Sequence, residues 1–297
     1  DASVPLSWDK AEHVVWKTPT PKWSNASPII VGDRIFICAE PDSLLCLNKQ
    51  TGEILWQRSN SYVDIAAEDG KEEARKNMAQ VDASKKQLRD IQGKRKQLAK
   101  QAKENPEDAA VQVELDAATV EETRWRDALN AVQDYVIPET HGANGYSSST
   151  PTSDGTRVYM VFGTGVVVAY DMEGNRLWGR VVEKPNHGWG HSASPVLSDG
   201  RLVIHVRDVH GLDPASGETV WRVKSGARWG ASVSTVIDGH GVVITANGEI
   251  IRAKDGLVLA SGLHGLEYCA PLVHDGVVYF IEHGGKAFRL PAKADAT

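Results

Sequence analysis

A glycine followed four residues later by a tryptophan is the pattern that most constrains this chain, because it returns at regular intervals. Three copies are complete and a fourth ends in alanine: Gly52 and Trp56, Gly174 and Trp178, Gly217 and Trp221, Gly256 and Ala260. In each copy one apolar segment precedes the glycine and another leads to the last position, as in two strands joined by a turn. Such fixed spacing is typical of a fold built from repeated units.

A second pattern lies upstream of each copy and completes the unit. A Ser-Pro, Thr-Pro or related pair is followed by a turn glycine and then by β-branched or aromatic residues, as at residues 34–37 and 277–280. These runs are typical of strands that leave a hairpin turn. Each unit therefore contains four predicted short strands, and successive units are 36 to 44 residues apart, the length of one propeller blade.

One interval is far too long for a blade, since 95 residues separate Trp56 from Pro151. Residues 66–134 are rich in Ala, Glu, Lys, Gln and Arg, and their apolar residues follow helical periodicity. Two apolar seams with spacings of three and four residues are visible, and one charged residue interrupts each. Arg95 interrupts the first seam, which consists of Val81, Leu88, Ile91, Leu98 and Ala102. Glu122 interrupts the second, which consists of Val111, Leu115, Ala118, Trp125, Leu129, Val132 and Val136. The pattern predicts an antiparallel, coiled-coil-like helical hairpin.

Residues 104–108 contain the predicted turn of this hairpin, with Asn105 as the cap of the second helix and Pro106 at its first helical position. The chain is therefore expected to divide into propeller residues 1–61, an inserted hairpin at 62–141 and propeller residues 142–297. The first part includes an N-terminal strand ending at Trp16, which is expected to complete the last blade.

The net charge, the lengths of apolar runs and the cysteine content argue against several classes of function. The formal charge of −6 offers no basic excess for nucleic acid or an anionic membrane. The absence of any apolar run of about 18 residues predicts no membrane span, and the segment that begins at Asp1 is not typical of a signal peptide. Three scattered cysteines do not form a disulfide scaffold or a zinc motif. A Cys38–Cys46 disulfide remains an alternative to the favoured interpretation, two buried thiols.

The repeated strands and Gly-x-x-x-Trp turns resemble the quinoprotein-like (PQQ-like) β-propeller repeat, which is WD40-like in its four-stranded blades. The resemblance covers nearly all of the chain except the helical insert. It implies an all-β propeller in which the closing tryptophans, Trp16, Trp56, Trp178 and Trp221, dock between blades. The family usually has seven or eight blades and five are visible here, so the chain is either a small closed ring or part of a larger one.

The same resemblance implies two alternative functions. Quinone-dependent dehydrogenases of the family hold PQQ beside a vicinal cysteine pair and a calcium ion, and neither an adjacent cysteine pair nor a recognisable calcium site occurs here. Other members lack the cofactor and act as scaffolds. We therefore expect a non-catalytic periplasmic or extracellular scaffold without cofactor or metal. The alternative is a PQQ-dependent or other small-molecule oxidoreductase that uses the funnel mouth.

Unusual residues stand immediately before blades two to five, where propellers commonly bind ligands. They are predicted ligand- or partner-binding residues: His141, Asn144, Tyr146, His187, Trp189, His191, Arg228, Trp229, His264, Glu267 and Tyr268. Three of these loops contain a His-Gly pair. Histidines and tryptophans facing the axis suit a small polar ligand, a metal or a partner's side chain. The alternative is that they only pack one blade against the next.

No catalytic signature accompanies these loops. The sequence has no Gly-x-Ser-x-Gly elbow, His-Glu-x-x-His motif or phosphate-binding glycine loop. No catalytic residue is therefore predicted. The expected partner is a protein, which would bind through the helical hairpin or a propeller face.

Overall fold

The computed structural model describes residues 13–295. They form two compact units, one made of the residues up to Ser61 and from Pro138 onward, the other of Tyr62–Ile137. The first unit consists of five antiparallel sheets and the second of two helices with short flanking turns. The predicted N-terminal strand begins at Glu12, which lies outside the described residues.

Four of the sheets contain four strands each, in sequential order. The first contains β1–β4, at Ile29–Val31, Arg34–Ala39, Ser43–Asn48 and Ile54–Ser59. The second contains β5–β8, at Thr152–Ser153, Arg157–Val161, Val166–Asp171 and Arg176–Val181. The third contains β9–β12, at Val196–Ser198, Arg201–His205, Val209–Leu212 and Thr219–Val223. The fourth contains β13–β16, at Val233–Ile237, His240–Ile244, Ile250–Arg252 and Val258–Ala260.

The fifth sheet contains three strands, β17–β19, at Leu272–His274, Val277–Ile281 and Gly285–Arg289. Among the described residues, 13–23 form no strand and pair with no sheet. The prediction that the segment ending at Trp16 completes the last blade is therefore wrong for the described part of that segment. The indole of Trp16 instead donates from Nε1 to the carbonyl oxygen of Lys49, at 2.9 Å, which fixes it against the first sheet.

Apolar side chains of adjacent sheets form the core. In the first four sheets most residues of the two middle strands are buried, because neighbouring sheets pack against them. In the fifth sheet only alternate residues of the middle strand β18 are buried. One cluster joins the second and third sheets, with Tyr159 and Val167 packed near Leu202 and Ile204. The β-branched and aromatic runs found in the sequence are these middle strands, and the prediction of an all-β propeller-like fold of repeated sheets with one helical hairpin is confirmed.

The two helices of the second unit are α1, at Lys71–Glu104, and α2, at Ala109–Asn130. Single 3₁₀ turns flank them at Glu68–Gly70 and Gln133–Tyr135. Helix α2 is capped by Asp108, whose carboxylate accepts hydrogen bonds from the backbone N–H groups of Ala110 and Val111. The prediction of Asn105 as this cap is wrong, because Asn105 ends α1 and Pro106 lies in the turn.

The two charged residues that interrupt the seams meet in the hairpin. Arg95 on α1 forms an ion pair with the buried carboxylate of Glu122 on α2, and Arg126 binds the second carboxylate oxygen. Ile91, Leu98 and Ala118 form the apolar core beside the pair. The polar interruptions therefore face each other, as a pair that selects one register of the two helices.

This ion pair predicts a pH-dependent hairpin. The hydrogen bond from Arg95 lowers the pKa of Glu122, so the pair stabilises the hairpin above the unfolded pKa of glutamate, about 4.3, and that stability is lost as the pH falls further. We expect thermal melting of the helical circular dichroism to show a larger acid-induced decrease in wild type than in Glu122→Gln. The exposed pair of Lys94 and Glu114 supplies the control, and Glu114→Gln should behave as wild type. Equal acid sensitivity in all three proteins would contradict the prediction.

Candidate functional site

Each closing tryptophan reaches the next sheet. Trp56 Nε1 donates to the carbonyl oxygen of Met172 at 3.0 Å, and the same bond recurs from Trp178 to Pro214 at 3.0 Å and from Trp221 to Ala253 at 2.8 Å. The indole covers the turn glycine of that sheet. At Gly174, with φ +83°, a Cβ atom would lie 2.7 Å from the Trp56 ring. Glycine is therefore needed both for the backbone conformation and for the close approach.

Loops that enter successive sheets come together above this framework and bring five predicted residues into one group. His141 and Trp189 have ring centroids 4.0 Å apart, His187 and Trp229 are 5.0 Å apart, and Trp229 stacks on Tyr268 at 5.6 Å. We call these five residues the aromatic cluster. Its members come from the loops before the second, third, fourth and fifth sheets, so four separate connections contribute to one surface.

Hydrogen bonds between the loops hold the cluster in place. Asn144 Nδ2 donates to the carbonyl oxygen of Trp189 at 2.7 Å. The indole N–H of Trp229 donates to the carbonyl oxygen of Gly190 at 3.2 Å, and Ser192 Oγ donates to the carbonyl oxygen of Trp229 at 3.0 Å. Each bond joins two different loops, so the rings are positioned before any partner arrives.

A shallow cavity of about 260 Å³ opens among these rings. It is lined by Ala143, Asn144, Trp189, Ser192, Trp229 and Tyr268. Trp189 is 49% exposed and Tyr268 is 61% exposed, which is unusual for large aromatic side chains. The arrangement offers flat apolar faces with an amide and a hydroxyl nearby, as protein-binding and ligand-binding surfaces commonly do.

Two glutamates that the sequence analysis did not single out fix the loops around the cluster. Glu40 Oε1 accepts from the backbone N–H groups of Tyr146 and Ser147, at 2.8 and 2.7 Å. Glu282 accepts from the backbone N–H groups of Glu267 and Tyr268, at 2.7 and 2.8 Å. These backbone hydrogen bonds lower the pKa of Glu282, and the bond from the N–H group of Glu267 has the largest effect. Both glutamates directly follow the second strand of a sheet, and that shared position was a signal available in the sequence.

The other predicted residues do not join the cluster. Arg228, His264 and Glu267 line a separate, more polar cavity of about 640 Å³ with Lys286 and His283. Tyr146 donates from its hydroxyl to the carbonyl oxygen of Pro138 at 2.9 Å, which anchors its own loop.

His191 points inward and is fully buried. Burial, and then the neighbouring His205, lower the pKa of His191 to about 4, so the ring is neutral at pH 7. Its Nε2 has no hydrogen-bond partner among the described residues. The buried ring cannot touch a partner at the surface.

A buried charge network supports the third sheet beneath these loops. Glu183 accepts from the backbone N–H groups of Arg207 and Asp208, both at 2.8 Å, and from the Arg207 guanidinium at 3.0 Å. His210 Nε2 lies 3.4 Å from Glu183 Oε2, the oxygen that accepts the two backbone hydrogen bonds. Burial alone raises the pKa of Glu183, but His210 and the two backbone N–H groups outweigh it and lower the value to about 2.

The side chains of the described part of the chain do not fit the cofactor of the quinone-dependent relatives. No group of three or more His, Cys, Asp or Glu residues among residues 13–295 is arranged to hold a metal ion. The three cysteines are free, with Cys38 and Cys46 buried, and none is adjacent to another in sequence. Residues 13–295 therefore contain neither a vicinal cysteine pair nor a metal-holding group of His, Cys, Asp and Glu side chains like those that the resemblance implies for the dehydrogenases.

Comparison with known proteins identifies the family. The family model described as outer membrane protein assembly factor BamB matches residues 6–93 and 206–294, more than half of the chain. The chain belongs to the BamB family. This confirms the resemblance to the PQQ-like repeat. A search of curated proteins finds no match. None of the helices within residues 13–295 is both long and apolar enough to cross a membrane.

Solved structures similar to this chain include a BamB protein and a quinohemoprotein alcohol dehydrogenase. BamB from Moraxella catarrhalis is 13% identical with a TM-score of 0.47, over 89% of this chain and 59% of that chain. Quinohemoprotein alcohol dehydrogenase from Comamonas testosteroni is 10% identical with a TM-score of 0.46, over 87% of this chain and 40% of that chain. The chain therefore spans less than two thirds of the length of either protein.

Proposed function

We propose that this protein is a non-catalytic scaffold of the periplasm that binds protein partners during the assembly of outer membrane proteins. Membership of the BamB family, whose description names such assembly, supports this class of function. The aromatic cluster is the observation that supports this particular surface as the binding site. The proposed binding residues are His141, His187, Trp189, Trp229 and Tyr268, with Asn144 positioning the Trp189 loop.

Several physical features of the cluster suit a protein partner better than a small substrate. The cavity is shallow and its floor is aromatic, whereas small-molecule sites usually enclose most of their ligand. Tryptophan and tyrosine carry much of the binding energy at protein interfaces, especially when they are held in place beforehand. The inter-loop hydrogen bonds supply that preorganisation.

The partner segment that best fits the cluster is an extended peptide with aromatic side chains. Strands of outer membrane barrels alternate apolar and polar residues and carry aromatic residues at the membrane interfaces. An aromatic side chain of such a strand can stack between Trp189 and Tyr268, while Asn144 and Ser192 offer polar contacts beside it. Unfolded barrel strands are therefore the proposed ligands of this surface.

A peptide titration tests this proposal. The probe is a synthetic peptide of about ten residues, the length of one barrel strand, with alternating apolar and polar residues and two aromatics. Calorimetry should show binding to wild type, and the double variant Trp189→Ala, Tyr268→Ala should weaken it at least about tenfold, the loss of about 1.4 kcal/mol. Two exposed stacking rings are enough to account for that loss.

The matched control is Trp23→Ala, which removes a tryptophan that is 48% exposed but lies outside the aromatic cluster. Its affinity for the peptide should equal that of wild type. A peptide with both aromatics replaced by leucine should bind more weakly. Equal binding of the peptide to wild type and to the double variant would refute a partner site at the cluster.

The helical hairpin is proposed as a second protein-binding surface, for an amphipathic helix of a partner. Val113 and Val120 are exposed and lie seven residues apart, on one face of α2. Substituting both with glutamate should reduce cosedimentation of the protein with isolated outer membranes. Gln112→Glu, Thr119→Glu introduces charges at the same spacing, at exposed positions about 100° away around α2, and should leave cosedimentation unchanged. A similar loss in both variants would show that charge alone is responsible.

A further inference from the structure

Six basic side chains lie along one face of helix α1. All six are exposed, and at about 100° per residue they fall within an arc of about 100° around the helix axis. That arc is on the opposite side of the helix from Ile91 and Leu98, which pack against α2. The six residues are Lys85, Lys86, Arg89, Lys96, Lys100 and Lys103, and we call them the basic stripe.

The basic stripe extends about 27 Å along the helix, at about 1.5 Å per residue. Within residues 85–103 the one other residue on this face is Gly93, and a Cβ atom at Gly93 would have no atom within 4 Å. The single acidic residue of that span, Asp90, falls outside the arc. The face is therefore open to solvent and uniformly positive.

The chain itself supplies little counter-charge to the stripe. Lys100 lies 3.7 Å from Glu104, and the other five residues form no ion pair within residues 13–295. Residues 85–103 contain eight Lys or Arg residues and one Asp, whereas the whole chain has a formal charge of −6. Helix α2 has two Arg residues against five Asp or Glu residues. The net charge of the chain thus conceals a local positive surface on α1.

The composition of the stripe suits an anionic lipid surface better than a protein interface. Five of its six residues are lysines, and lysine is depleted in the cores of protein interfaces, which depend on aromatic and arginine anchors. No aromatic or aliphatic side chain lies among them. At an anionic bilayer, by contrast, each lysine or arginine near the surface strengthens binding about fivefold.

We propose that the basic stripe binds the helical hairpin to the anionic headgroups of a phospholipid bilayer. A row of exposed charges along a helix contacts several headgroups of a flat surface at once, and no side chain of the stripe encloses a free anion. Because α2 covers the apolar face of α1, the hairpin binds at the surface without the insertion that an amphipathic helix undergoes. This function is separate from the aromatic cluster and from Val113 and Val120 on α2.

Vesicle sedimentation with the whole chain tests the proposal. The protein should bind vesicles of equal parts phosphatidylglycerol and phosphatidylcholine at low salt, and it should not bind pure phosphatidylcholine. Because the Debye length falls to about 3 Å at 1 M salt, binding should be lost there. The vesicles contain no protein, so the result is independent of the protein-binding surfaces proposed above.

Charge-removal variants locate the binding surface. Arg89→Gln, Lys96→Gln should lower the vesicle partition coefficient at least about tenfold, since two contacting charges are removed. The matched control is Lys76→Gln, Lys94→Gln, which removes two exposed basic residues of the same helix at an angle outside the arc. This control should lower partitioning less than about threefold.

A third variant separates binding from folding. Gly93→Glu places a carboxylate between Arg89 and Lys96, at i−4 and i+3, and glutamate is a better helix former than glycine. The helical circular dichroism should therefore melt at a higher temperature, while vesicle binding weakens at least about threefold.

Four results overturn the proposal. They are no binding of wild type to the anionic vesicles at low salt, equal binding to the neutral vesicles, equal losses in the stripe variant and its control, or unchanged binding in Gly93→Glu. A polyglutamate peptide that binds wild type when the vesicles do not would assign the stripe to an acidic protein instead.

Discussion

Replacing Trp56 with alanine is expected to lower the free energy of unfolding by about 3–5 kcal/mol, the usual cost of removing a buried aromatic residue. The Trp56 ring is buried between two sheets, with Phe36 at 5.8 Å and Tyr170 at 5.7 Å. Its N–H bond to Met172 crosses from the first sheet to the second. Urea-induced unfolding followed by near-ultraviolet circular dichroism measures the loss.

A double-mutant cycle with Gly174 distinguishes loss of this contact from general damage. Gly174→Ala alone should destabilise the protein, because the new methyl group meets the Trp56 ring and the residue has a positive φ. In the Trp56→Ala background the clash is absent, so the second substitution should cost less than it does in wild type. Additive effects would contradict the direct contact. Trp23→Ala should stay within about 0.5 kcal/mol of wild type, as is usual for surface substitutions.

The docking of Trp56 also shows why the fold could be predicted from the sequence. Glycine and tryptophan recur at fixed spacing because each glycine accommodates the tryptophan of the preceding sheet. This contact repeats between the first and second, second and third, and third and fourth sheets, so the residues that make it recur periodically in the sequence. The hairpin turns left a similar record, since Asp199, Asp238 and Asp275 have positive φ values in equivalent turns.

Structural features that occur only once produce no repeated pattern in the sequence. Asn105 and Asp108 are both suitable helix caps, and only the length of the turn decides between them. Arg95 and Glu122 were visible as interruptions of two separate seams, but their partnership depends on the helix register. The burial of His191 depends on the packing of neighbouring sheets, which a loop sequence does not report.

The buried carboxylate of Glu183 is expected to stabilise the fold and to make its stability depend on pH. Glu183→Ala should lower the free energy of unfolding by about 3–5 kcal/mol, because it leaves partners of a buried carboxylate without a counter-charge. The backbone N–H groups of Arg207 and Asp208 would lose their acceptor. The surface variant Glu173→Ala breaks an exposed pair with Arg34 and should cost at most about 1 kcal/mol.

The pH dependence of this effect has a definite sign. The folded pKa of Glu183, about 2, lies below the unfolded value of about 4.3, so its contribution is complete above the unfolded value and decreases as the pH falls towards the folded one. The difference corresponds to about 3 kcal/mol. Urea titrations at several pH values should therefore show wild type losing more stability than Glu183→Gln between about pH 5 and pH 2. Parallel pH profiles for the two proteins would mean that another group carries the charge balance, since His210, Arg207, Arg222 and Asp208 all face this site.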